Sequence, residues 1–415
     1  MILKAAKFLL ICIGISFFMF PVSFYFLPEA VNTKMILAGL GILAFFYDNI
    51  VKKTLTIPRN LLYSIILALV FSLWCFYSVT ANATNDLSYA NYWVSFFTWS
   101  FGAYAIFFII KQLDGSYTLS RLTFYLASVC LMQCILAEVI NYNPGVQRLV
   151  DSIFKQGQEF YHEVDRLYGI GAALDPAGVR FSVVLVLMAH QMSNVGKVVE
   201  RLPLALFYFV SFIAIVIIGS IIARTTWVGA GMGLVYMIAS YLRLNRGYLS
   251  GKQLKFWGFF LGLTLLTVVI SAILYRISPE FRSSLRFGFE GFFNWAEKGV
   301  FRTDSTDKLN NTMWVWPTDT RGWTIGYGLF DNWVFNTDIG FCRFILYSGI
   351  IGISLFSLFF IYNGLSLYGR FSDMSLLPLF LIATTFIIWL KVATDIFFVY
   401  ALLYFIEQPC TSSTT

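Results

Sequence analysis

Three short stretches carry arginine where an apolar segment begins or ends. Residues 318–352 read TDTRGWTIGYGLFDNWVFNTDIGFCRFILYSGIIG. Arg321 stands there in a polar, aromatic, glycine-punctuated loop, Asp338 directly precedes an apolar run, and Arg343 lies inside that run. Residues 164–188, VDRLYGIGAALDPAGVRFSVVLVLM, bring Arg166 through a glycine-rich segment to Asp175-Pro176 and then to Arg180 at the start of the next apolar run. Residues 218–233, IGSIIARTTWVGAGMG, join two apolar runs by almost no loop, with Arg224 at the turn. Arginine suits planar, bidentate recognition of phosphate or carboxylate, and a carboxylate such as Asp338 can take a proton from a hydroxyl. The chemistry open to these residues is anion binding with acid–base help.

Each feature also has a plain structural explanation. Arg224 can snorkel to water from a membrane boundary. The outer arginines can pair with loop carboxylates such as Glu163, Asp165, Asp304 and Asp319. Asp338 can cap a helix and favour its N-terminal dipole, and Pro176 fits a first helical turn with Asp175 as the cap before it. Arg343 is harder to dismiss. It lies more than a turn into its segment, where an ionisable residue costs about 2.5–3.5 kcal/mol and faces a bundle interior or a wet cavity. Asp338 and Arg343 are five apart, so only a frayed first turn brings them together. Trp314, Trp316, Trp323, Tyr327 and Trp333 can form an interfacial belt, or equally platforms for sugar rings. The GIG of 169–171 is no nucleotide fingerprint, because no strand precedes it.

The elements that position these residues are membrane helices. The 415 residues are 58% hydrophobic, 19% aromatic and 12% charged, with a mean hydropathy of +0.73; a soluble domain carries about 25% charged residues. Apolar runs of spanning length recur, at roughly 8–27, 35–48, 60–80, 93–110, 122–141, 178–192, 204–221, 227–242, 256–275, 339–362, 375–390 and 395–407. Lys391 and Asp395 interrupt the last two. The first run follows Lys4 and Lys7 without a small-residue cleavage site and reads as a retained span. The expected fold is an all-α integral membrane protein of about 11–12 transmembrane helices, one polytopic domain over 1–407, with large loops at about 142–177 and 276–338 and a disordered tail at 408–415.

The positive-inside rule places both termini in the cytoplasm and both large loops outside. On that topology the outward side holds ten arginines against five lysines, the inward side six against eight. The outward excess of arginine favours an anion site facing out. The cysteines fall in or beside apolar runs or in the tail, with no CxxC, and Cys130 and Cys134 share a helix face as ordinary packing. His162 and His190 are too few and too far apart for a metal cluster, so no metal and no cofactor are expected.

The residues RLYGIGAALDPAGVRFS, ARTTWVGAGMGLVYM and GYGLFDNWVFNTDIGFCRFILYSGIIGISLFSL, on a plan of a dozen spans and two large loops, resemble the O-antigen polymerase (Wzy) family of bacterial surface-polysaccharide polymerases. The related O-antigen ligases share the hairpin arginine and the late loop, but have a histidine where this chain has NTD. The resemblance implies a GT-C-like membrane glycosyltransferase architecture in the bacterial cytoplasmic (inner) membrane. It implies a metal-independent polymerase that joins oligosaccharide repeat units carried on undecaprenyl diphosphate, with a chain-length regulator as a further partner and no nucleic acid. On it, Arg180, Arg224 and Arg343 neutralise the departing diphosphate. Arg166 and Arg321 bind substrate with Trp323 and Tyr327, and Asp338 is the candidate general base, ahead of Glu163 and Asp165. Alternatives are an O-antigen ligase or a lipid-linked oligosaccharide flippase. A flippase needs ionisable residues along its spans, whereas here they gather at span ends and no inverted repeat is visible.

Overall fold

The computed structural model describes residues 2–28, 31–53, 57–163, 166–193, 202–245, 251–330, 332–368 and 376–407. Asp165 and the tail at 408–415 lie outside them, as does the side chain of Trp333. The described chain is helical almost throughout: α1 Ile2–Met19, α2 Thr33–Lys52, α3 Arg59–Ala81, α4 Tyr92–Asp114, α5 Leu119–Tyr142, α6 Pro144–Ile153, α7 Gln158–Glu163, α8 Leu174–Ser193, α9 Leu202–Ile222, α10 Thr226–Asn245, α11 Gly251–Ile277, α12 Pro279–Gly288, α13 Glu290–Lys298, α14 Asp304–Thr312, α15 Thr320–Ile325, α16 Asn332–Phe335, α17 Gly340–Tyr368, α18 Leu376–Trp389 and α19 Phe397–Leu403. One two-residue antiparallel pair, β1 Ser23–Phe24 with β2 Phe154–Lys155, is the sheet content among the described residues.

Among the described residues, eight helices are long and apolar enough to cross a membrane: α1 to α5, α9, α11 and α17. This makes the chain a multi-pass membrane protein. The expected spans at 178–192 and 227–242 are the 20-residue helices α8 and α10, which fall short of the other eight in apolar content. For α8 the reason is visible, since every residue from Phe181 to Met192 is buried by protein. A helix wrapped in protein has no need of a lipid-compatible surface. The interrupted stretch at 375–407 resolves into helices of 14 and 7 residues, neither long enough alone for a core of about 30 Å. The expected large loops are built from short helices, α6 and α7 in the first and α12 to α16 in the second.

The chain divides into two compact units. The first, Met1–Pro21, Glu29–Leu122 and Leu309–Thr415, has an aromatic core. Phe71 stacks on Phe356 at 4.3 Å, Phe356 on Trp389 at 5.3 Å, and Phe96 on Phe397 at 4.6 Å, which ties α3, α4, α17, α18 and α19 together. The second, Val22–Pro28 and Thr123–Lys308, is organised around α8. Its short helices start where the sequence signals them. Asn143 caps α6 ahead of Pro144, and Ser278 caps α12 ahead of Pro279, each proline taking a first-turn position whose N–H has no helical partner anyway.

Candidate functional site

In the first unit the late loop meets a break in α17. Gly349 has φ +68° and ψ −176°, outside any helix, so the carbonyls just before it lose their partners within the helix. Other parts of the unit supply replacements. Tyr347 O accepts from Gly328 N at 3.0 Å and from the Ser78 hydroxyl at 2.8 Å, Leu346 O from Tyr327 N at 2.6 Å, and Ser348 O from Trp74 Nε1 at 2.8 Å. Only glycine fits this junction: a Cβ on Gly349 would sit 2.1 Å from Thr324 O, and one on Gly326 2.5 Å from Ser348 N. The GYG of the loop and the SGIIG of the helix are two halves of one joint.

Arg343 lies on the first half of that broken helix. Its Nε and Nη2 donate to Phe330 O at 3.1 and 2.6 Å, and its guanidinium carbon is 4.0 Å from the Phe330 ring centroid. It therefore grips the loop through one residue, by hydrogen bonds and a cation–π contact. Tyr89 packs edge-on against Phe330 at 4.7 Å, and Arg343 and Asp395 both act electrostatically on the Tyr89 hydroxyl. Asp338 is partly exposed, two residues before α17. The hydroxyl of its neighbour Thr337 accepts from Ile339 N at 3.3 Å and donates to Met313 O at 2.5 Å.

Arg321 donates through Nη2 to Ala81 O, the last residue of α3, where a cation also favours the helix dipole. Asp319, considered above as an arginine partner, accepts from Gly322 N and caps α15. Tyr327 is packed in its own loop, stacked on Phe335 at 5.9 Å and accepting from Thr318 N at 3.1 Å. Trp323 is different. It stacks on Trp316 at 5.7 Å, Trp316 lies 5.7 Å from Trp314, and all three remain 38–40% exposed. That ladder offers indole surface to a ligand.

The second unit holds the hairpin. Arg224 stands in the short turn between α9 and α10, and the GAGMG that follows does bring another helix close. The partner is α8: a Cβ on Gly229 would lie 2.1 Å from Ser182 Cα. Ser182 bonds both sides of the turn, donating to Thr225 O at 2.8 Å and accepting from Gly229 N at 3.1 Å. Asp175 accepts from the Thr225 hydroxyl. It stands in the first turn of α8, after Leu174 with φ +51°, and this bond links α8 to the hairpin.

Two guanidiniums meet on one ring here. The guanidinium carbons of Arg166 and Arg224 lie 4.0 and 4.3 Å from the Phe287 centroid. Glu290 pairs with Arg224 at 2.5 Å, with both side chains less than a fifth exposed, and also accepts from Asp304 N at 2.7 Å. Burial, then the charge of Arg224, pushes the Arg166 pKa below its ordinary value, while Asp175 pushes it back up. Arg180 points back along α8 and donates from Nη1 to Pro176 O at 2.7 Å. Glu163 ends α7 on the exposed surface.

Sequence reasoning did not single out Glu290, Phe287 or Asp151, nor the helix break at Gly349. Among the described residues no group of three or more His, Cys, Asp and Glu side chains is arranged to hold a metal ion. The fold and these clusters define a multi-pass helical membrane protein with a discontinuous helix and arginines held at helix ends. Comparison with known protein families, curated proteins and solved structures finds no match.

Proposed function

We propose that this chain is a polysaccharide polymerase of the bacterial cytoplasmic membrane, joining undecaprenyl-diphosphate-linked oligosaccharide repeat units on the outer face. The observation that carries the anion-binding part is the pair Arg166 and Arg224 on one phenyl ring, with one directly paired carboxylate, Glu290. Two neighbouring cations repel; Glu290 pairs with Arg224 and Asp175 acts on Arg166, and a dianionic diphosphate competes with these single carboxylates for both guanidiniums at once. In this reading the Arg166–Arg224 pair stabilises charge that builds on the leaving diphosphate, a role the sequence resemblance also assigns to Arg180 of α8. Arg343 and Arg321 hold the loop that presents Trp323 and its ladder to sugar, and Tyr327 stiffens that loop. Asp338 is the candidate base from the sequence. The step to polymerisation rests on the resemblance of the arginine motifs and on the span-and-loop plan.

The test is the surface polysaccharide ladder of a deletion strain, complemented with wild type, Arg224→Ala and Asp338→Asn. Collapse to single anchored repeat units, restored by wild type but not by Arg224→Ala, is the expected result. Loss of all repeats from the anchor with long lipid-linked chains accumulating identifies a ligase instead. An unchanged ladder in the deletion strain overturns the reading. Normal ladders in Asp338→Asn remove that residue from the base role.

A further inference from the structure

The second unit holds an ionisable cluster that this reading leaves unused. His162 at the end of α7 places Nε2 3.1 Å from Asp151 Oδ2. The Tyr168 hydroxyl lies 3.0 Å from both oxygens of the same carboxylate, and burial followed by that hydrogen bond pushes its pKa up to about 12. Tyr168 is thus a fixed donor, and Asp151 accepts from two sides. With Nε2–H committed to Asp151, the imidazole lone pair falls on Nδ1, where the Gln147 amide is the neighbour at 3.5 Å, too long for a firm bond. A base held by a carboxylate through its far nitrogen, with its near nitrogen loosely engaged, is the arrangement that proton abstraction requires.

His162 belongs to a cavity. His162, Gln147, Asn141, Tyr161, Tyr168 and Arg166 line a pocket of about 70 Å³, several times the smallest space that holds one water. It suits a sugar hydroxyl with its nearest ring atoms. Two amides and two phenols are recognition groups for hydroxyls. Arg166 is the link, because it lines this pocket and also lies over Phe287 beside Arg224.

Resting on the polymerase reading, we infer that His162 is the proton acceptor for the attacking sugar hydroxyl, in place of Asp338, and that Asp151 is the positioning residue that orients it. The hydroxyl proton passes to Nδ1, and the oxygen's electron pair forms the new bond to the anomeric carbon. The bond from that carbon to the diphosphate oxygen breaks, and its electrons leave with the lipid diphosphate toward Arg166 and Arg224. The groups facing His162 are Asp151 and Gln147 from α6, Asn141 from α5, Tyr161 on α7 itself, and Arg166 and Tyr168 from the segment after it. Of these only Asp151 is anionic, and no metal or nucleotide is called for.

The experiment uses the full-length protein in lipid nanodiscs with the lipid-linked repeat unit extracted from the deletion strain. Polymerisation is followed across pH 5 to 9, and binding of inorganic pyrophosphate is measured alongside. His162→Gln is expected to lower kcat by about 10²–10⁴-fold, the range of general-base catalysis, to abolish the acid limb that imidazole protonation produces, and to retain pyrophosphate binding. Asp151→Asn is expected to lower kcat with KM unchanged, and Asp151→Glu to recover part of the loss. Wild-type polymer with His162→Gln running at near wild-type rate and an intact acid limb overturns the assignment. Should His162→Gln lose pyrophosphate binding as well, the decision passes to Asp151, and equal activity of the Asn and Glu variants overturns it. If wild type itself makes no polymer, the failure lies in the polymerase reading, and this assignment falls with it.

Discussion

Arg343 holds Phe330 twice, donating from Nε and Nη2 to its carbonyl and lying over its ring at 4.0 Å. The arginine is therefore the clasp of the late loop onto α17, and the clasp depends on a planar fork. Lysine offers a point charge and no fork. Arg343→Lys should lower the melting temperature and release the loop, at a cost of about 1.5–3 kcal/mol for hydrogen bonds to a charged group. Limited proteolysis between residues 318 and 339 checks this, and a variant as resistant as wild type refutes it.

Gly349→Ala should be far more damaging than its size suggests. The position combines φ +68° with a carbonyl 2.1 Å from any Cβ, so strain and collision act together, at about 3 kcal/mol or more. Gly231→Ala, on α10 with nothing within 4 Å of a Cβ, should be neutral or slightly stabilising, since alanine is the better helix former. Detergent-solubilised yield and thermal melting of the two variants should diverge sharply.

Glu290→Gln removes the carboxylate that pairs with Arg224 at 2.5 Å. If the Arg166–Arg224 pair receives a diphosphate, Glu290 competes with it, and the variant should bind inorganic pyrophosphate several-fold more tightly while losing some thermal stability without ligand. Arg166→Gln should weaken the same binding by about tenfold or more, as loss of a charge-assisted contact predicts. Titration calorimetry at fixed ionic strength decides, and unchanged affinity in both variants removes the pair from anion binding.

Trp323→Ala breaks the ladder at its stacked pair. Packing the C–H face of a sugar on indole removes about 40 Å² of apolar surface from water, worth about 1 kcal/mol, so KM for the acceptor should rise about fivefold with kcat little changed. A soluble fragment of the repeat unit should also quench tryptophan fluorescence in wild type more than in the variant. Identical KM in both would leave the ladder as an interfacial belt.

Tyr168 gives a pH prediction whose sign follows from its raised pKa. The native state holds the phenolic proton more tightly than the unfolded chain, so stability is unaffected below about pH 10 and falls as pH rises from about 10 to 12. Tyr168→Phe should flatten that part of the melting-temperature profile while leaving the neutral range in place.

Helices were legible in the sequence because lipid-length apolar runs leave a strong signal, and α1 to α5, α9, α11 and α17 follow it. The hairpin was legible too, since Arg224 with GAGMG announces a tight turn and a close helix, though not that Ser182 would be the contact. What could not be read is pairing at long range. Glu290 is 66 residues from Arg224, and nothing in its surroundings, FGFEGFF, marks it as a partner. Asp151 and His162 are eleven apart across a strand and a turn, a spacing with no regular periodicity to betray it. The break at Gly349 was hidden for another reason: a glycine within an apolar run reads equally as a helix-packing residue, and only the arrival of the loop distinguishes the two.

The joint at Gly349 also has an order in time. The donors that take up the carbonyls of Leu346, Tyr347 and Ser348 come from Trp74, Ser78, Tyr327 and Gly328, all made before the break itself leaves the ribosome. A carbonyl without a partner in hydrocarbon costs several kcal/mol, yet at this joint every replacement donor has already been synthesised when the gap appears. A circular permutant that delivered α17 ahead of α3 and the late loop would reverse that sequence of events. It would have to carry an open helix into the bilayer with nothing yet there to close it.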